Sequence, residues 1–292
     1  MVVGSARGEA KRERERRKAN EQYFLSLADS RASLTSLPMM GLLTAFLMGL
    51  VLPFLWSLVF YAGYQELSLL FYAHLVVIGF SLVVCVVSAF RGWVFRYQVF
   101  SSSLTVFFTI VWVYTLCLAA IFMATMDVGV LGDSEFSSTR LEIAGVFGSL
   151  YVCGAFVVHV LLLRHRLRVG HSQKRMMGNY LAASSVYSSK SLWIIFVVAL
   201  IVPNFLTGGE YILVTFGGLG FLLFASVCPS LPVEFGYLTY LKARDRKYWE
   251  QRPPKVVVER AQKIRTLKKT GKVTLIILGV IVALTILSEI WK

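Results

Sequence analysis

Apolar residues in this chain fall into seven long blocks, and the charged residues lie almost entirely between them. Blocks of this kind, about 20 residues long and nearly free of charge, are what a bilayer's hydrocarbon thickness selects. They predict spans over Met39 to Tyr64, Leu67 to Phe90, Ser103 to Met126, Ile143 to Leu163, Ser191 to Leu206, Tyr211 to Val233 and Val273 to Trp291. The last is the weakest, with an uncharged core of only sixteen residues, Val273 to Ser288.

The expected fold is therefore all-α: a polytopic integral membrane helix bundle of about seven transmembrane helices. Four segments follow: 1–38, basic; 39–233, a six-helix core; 234–272, a basic and partly amphipathic arm; 273–292, the seventh helix. Proline removes a backbone donor and crowds the preceding turn, so kinks are expected at Pro53, Pro203 and Pro229. Ala144 and Gly148 give the fourth span a small-residue face for close helix contact. Gly217, Gly218 and Gly220 suit packing or bending in the sixth.

Charge sets the orientation. Of the 30 Lys and Arg, 28 lie in segments on one side of this topology, and only Arg140 and Lys292 on the other. The positive-inside rule then puts the N-terminus in the cytoplasm and the C-terminus outside. The first 38 residues are too long and polar for a signal-peptide n-region, so the first span is expected to act as an uncleaved anchor. A net charge of +14 would suggest nucleic acid in a soluble protein, but here every basic cluster flanks an apolar block. The lipid bilayer, with anionic inner-leaflet lipids, is the more economical partner. Glu9, Glu13 and Glu15 interrupt the N-terminal basic run, which argues against a nucleic-acid arm.

The longest segment between spans is Glu234 to Lys272, with twelve Lys/Arg against four Asp/Glu. On a helical projection Tyr237, Leu238, Leu241, Tyr248 and Trp249 share one half, and Lys242, Arg244, Arg246 and Lys247 fill most of the other. Pro253-Pro254 ends that helix, and a second is expected from Val256 to Lys269. The residues proposed to touch a lipid or protein partner are Lys242, Arg244, Arg246, Lys247, Tyr248 and Trp249. A plain topological signal explains the same charges.

Candidate chemistry is sparse. Ionisable side chains deep in a membrane are costly and mark function by default, yet none of the first six spans has an Asp, Glu, Lys or Arg at its middle. Glu66, Asp127, Glu142, Glu210 and Glu234 sit at span ends, where water is expected to reach them. His74 is the one intramembrane polar candidate, either a hydrogen-bonding residue between helices or a proton relay. His159 lies on the order of 13 Å from it in height, which disfavours a shared haem. Cys85, Cys117, Cys153 and Cys228 are isolated from one another and read as small apolar residues. Metalloprotease, nucleophile-elbow and phosphate-loop motifs are absent. No catalytic residue, cofactor or metal site is assigned. These readings favour a non-enzymatic accessory or partner-binding subunit, of a secretion or toxin-protection type, with the cell membrane as its expected location. A transporter or channel for a neutral, apolar or lipid-like substrate is the alternative. A membrane enzyme acting on lipid would have only His159, His165 and His171 to draw on.

Overall fold

The computed structural model describes residues 2–125, 138–171 and 212–251, and all of them but Gln251 lie in one compact unit, Met1–Glu250. The regular structure is entirely helical among these residues. Its main helices are α1 (Val2–Asp29), α2 (Leu37–Trp56), α3 (Ser68–Ser88), α4 (Arg91–Arg96), α5 (Gln98–Thr125), α6 (Ser138–Val169), α7 (Ile212–Val227) and α8 (Ser230–Arg244). Among the described residues, five helical stretches are long and apolar enough to cross a membrane: Glu9–Tyr61, Gln65–Ser88, Gln98–Met123, Leu141–Val169 and Gly217–Arg244. They correspond to five of the seven expected spans. The blocks at 191–206 and 273–291, with Pro203, lie outside the described residues.

Helix α5 is the axis of the bundle, packing against α2, α6, α7 and α8. Its buried face carries Ser101, Thr105, Thr109 and Thr115, an unexpected choice for a core. Each hydroxyl is satisfied within the chain. Thr105 donates to the Ser101 carbonyl, Thr109 to that of Thr105 and Thr115 to that of Val111, at 2.8–3.2 Å. Without water, such back-bonding avoids stranding a polar group. The small side chains also let neighbours approach. Trp112 on α5 donates its indole N–H to Thr44 on α2 at 2.7 Å.

Helices α2 and α3 form the closest pair. A Cβ placed on Gly41 would stand 2.8 Å from the Ser81 carbonyl oxygen, so this crossing requires glycine. The expected small-residue face of α6 is used at Gly148, which rests on Cys117 and Ile121 of α5.

The prolines act at different places. Helix α2 continues through Pro53 to Trp56 and then widens into a π turn, Ser57–Tyr61. The Ser57 N–H is shared between the carbonyls of Pro53 and Phe54. Widened turns of this kind are a common response to a disturbed hydrogen-bond ladder. Pro229 stands at the break between α7 and α8, where it caps the start of α8.

Two apolar clusters divide the interior. One, at the basic end of the bundle, joins Tyr23, Phe24 and Leu27 of α1 to Phe108 of α5 and Phe235 and Leu238 of α8. The other, at the far end, gathers Val51, Leu55, Phe71, Leu118 and Phe122. The basic N-terminal segment is therefore part of the core from Tyr23 onward. Its aromatic and aliphatic residues follow the charged run at helical spacing and bury a complete face.

Candidate functional site

The end of α8 and the turn after it form the first polar assembly. Helix α8 stops at Arg244, Asp245 is extended, and its carboxylate accepts the Lys247 N–H at 3.0 Å to start a short 3-10 turn, Arg246–Tyr248. The chain then folds back, so that Trp249 donates its indole N–H to the Lys242 carbonyl at 2.8 Å. Glu250 thereby enters the interior. Its carboxylate accepts from Lys242 Nζ at 2.7 Å, from Ser33 Oγ at 3.0 Å and from the Leu34 N–H at 2.8 Å. Its backbone exchanges two hydrogen bonds with the Gln98 side chain, each 2.8 Å. One residue thus ties α8, the α1–α2 junction and the start of α5 together.

This geometry revises the expected contact surface. Lys242 is 1% exposed and Tyr248 is buried, so neither is presented to a lipid or partner. A helical projection places Lys242 among the outward cations because it cannot register an acid eight residues later returning over the same face. Arg244, Arg246 and Lys247 are exposed, and Trp249 is half-buried. The Arg246 guanidinium lies over the Trp249 ring at 5.4 Å, and Lys247 Nζ over that of Tyr248 at 5.1 Å. Lys247 also reaches Glu21 of α1 at 3.5 Å. Burial raises the Tyr248 phenol above its ordinary value, with Lys247 opposing the shift and Glu21 and Asp245 adding to it.

A second buried carboxylate lies nearby. Glu234, expected at a wet span end, is 2% exposed. It accepts the Tyr23 hydroxyl at 2.7 Å and faces Arg166 of α6 at 3.4 Å. Next to it, Asn20 donates to the Leu167 carbonyl at 2.9 Å and accepts from the His171 backbone N–H at 3.1 Å and ring Nδ1 at 2.7 Å. An amide oxygen only accepts, so Nδ1 carries the proton. The His171 ring stacks on Tyr23 at 4.0 Å. Gly170, at φ 101°, ends α6 and turns the chain toward this stack. These acceptors sit where α1, α6 and α8 meet, a convergence that no local sequence motif signals.

At the far end the helices part around a cavity of about 420 Å³. Glu66 and Tyr64 stand at its α2–α3 side and Glu142 on α6, while Leu70, Tyr114 and Leu118 line its interior. His74 lies one turn beyond Leu70 and is 1% exposed, with its ring 5.7 Å from that of Tyr114. Its Nδ1 is 2.8 Å from the Leu70 carbonyl oxygen, and its Nε2 has no hydrogen-bond partner among the described residues. The other spanning histidine, His159, is buried between α6 and α7, 2.9 Å from the Ser226 carbonyl. Among the described residues no three His, Cys, Asp or Glu side chains are grouped as metal ligands, and the four cysteines are free thiols.

Comparison of the chain with protein-family models, curated proteins and solved structures finds no match.

Proposed function

We propose that this protein is a non-enzymatic multi-pass subunit of the cell membrane that binds a partner, serving in an assembly for secretion or for protection against a membrane-active toxin. The supporting observation is the Lys242–Glu250 pair at 2.7 Å. It fixes the turn after α8, and the end of that helix and the turn carry Arg244, Arg246 and Lys247 outward. A loop that only reported topology would need the positive charges but not the buried apparatus that positions them. Exposed cations held in place lose little freedom on binding, so an acidic partner surface or anionic headgroups gain more from each contact. On the positive-inside reading, this turn faces the cytoplasm.

The test replaces Arg244, Arg246 and Lys247 together with Gln in the full-length protein and compares cross-linked adducts in native membranes. The proposal expects a discrete stoichiometric adduct that falls at least fivefold in the variant. An adduct that persists unchanged overturns it, as does the absence of any adduct.

A second reading, a transporter or channel for an apolar or lipid-like substrate, is favoured by the far-end cavity. Flux of such a substrate through reconstituted vesicles, lost when the cavity is filled, would support it over the first.

A further inference from the structure

The far-end cavity combines two features that select one class of ligand. Its walls are mainly apolar: Leu67 and Leu70 from α3 and the turn that leads into it, and Leu118 and Ile121 from α5. Among the described residues that line it, the carboxyls are Glu66, from the turn before α3, and Glu142, from α6, and none is Lys or Arg.

We infer that this cavity binds a protonated lipophilic amine, its alkyl or aryl body among the leucines and its ammonium group between Glu66 and Glu142. An ammonium carries the charge that two carboxylates attract and the N–H donors that acceptors require. Tyr64 and Tyr114 add ring faces that favour a cation. The volume matches that of small-molecule sites, which are apolar with a few placed polar groups. Zwitterionic phospholipids are a poorer fit, because their phosphate would approach the same carboxylates. The inference concerns binding and holds whether or not the protein moves its ligand.

Two variants separate the contributions. Glu66 and Glu142 are exposed, so Glu66→Gln with Glu142→Gln removes charge without touching the core. Gly145 also lines the cavity, and a Cβ there would meet nothing within 4 Å, so Gly145→Leu starts a side chain from an open position on its wall. Full-length protein in nanodiscs of zwitterionic lipid is titrated with radiolabelled dodecylamine by scintillation proximity, with empty nanodiscs as the partition background. Dodecanol and dodecyl sulfate serve as neutral and anionic competitors, and thermal unfolding verifies the fold of each variant. The expected result is saturable binding of the amine, weakened about tenfold by the double Gln variant and abolished by Gly145→Leu, with neither competitor displacing it at equal concentration. The inference is overturned by the absence of saturable binding, by binding that survives both variants, or by equal displacement with dodecanol or dodecyl sulfate.

Discussion

Lys242 and Glu250 form a buried ion pair, 2.7 Å apart, in which the carboxylate also accepts from Ser33 and from the Leu34 N–H. Removing one partner of such a pair strands the other charge and costs about 3–5 kcal/mol. Lys242→Met and Glu250→Ala should each destabilise the fold by that amount in denaturant titrations. The double variant Lys242→Met, Glu250→Leu should recover part of the loss, since no unpaired charge then remains. A double variant as unstable as the sum of the single ones would show that the two residues do not act as a pair.

The Tyr23–Glu234 hydrogen bond makes a narrower prediction. Tyr23→Phe keeps the ring on His171 but deprives a buried carboxylate of a 2.7 Å donor. Hydrogen bonds to charged groups contribute about 1.5–3 kcal/mol. The loss should appear as faster amide exchange in α1 from Tyr23 to Asp29 and as easier tryptic cleavage after Arg16 and Arg17. Unchanged exchange in that segment would mean that apolar packing alone holds α1.

Two glycines of α2 should respond in opposite ways to the same substitution. Gly41→Ala drives a methyl to within 2.8 Å of a backbone oxygen on α3, and overpacking of that kind costs about 1–3 kcal/mol. Gly49→Ala meets nothing within 4 Å and should be neutral or stabilising by up to about 1 kcal/mol through helix propensity. Thermal unfolding of the two variants side by side checks the pair.

Burial of Tyr248 predicts a response to alkali. Its folded-state pKa lies above the unfolded value of about 10, so the neutral phenol favours the fold. That contribution is complete below pH 10 and is lost as pH rises through the folded pKa. Stability measured from pH 8 to 11 should therefore fall less steeply at the alkaline end in Tyr248→Phe than in the unaltered protein. Identical alkaline limbs would place the pH sensitivity elsewhere.

Hydropathy located the helices better than it located their ends. The span expected from Leu67 to Phe90 is α3, Ser68–Ser88. The one expected from Ser103 begins earlier, at Gln98, because Gln98 and Ser101 find partners in Glu250 and Val94 instead of water. Such partners are remote in sequence, so a local window reads these residues as loop. Lys242 and Glu234 were misjudged for the same reason. Each is a charged residue on a basic stretch, and only the fold brings an opposite charge or a hydroxyl to it. His74 stood out in the sequence as a polar residue in an apolar helix. Its unpaired Nε2 became evident only when the Leu70 carbonyl and the Tyr114 ring were in place.

The interactions that close the basic end also impose an order on assembly. Ser33 and Leu34 bond to Glu250 across 217 and 216 residues, and Tyr23 reaches Glu234 across 211. As the chain leaves the ribosome, the N-terminal helix waits with these donors unmet until nearly every span that precedes them has been synthesised. Insertion of the apolar helices and sealing of the polar end are thus separate events. A chain halted before residue 250 can place its spans in the bilayer and still lack the clamp, offering quality-control proteases an unsecured helix at the membrane surface.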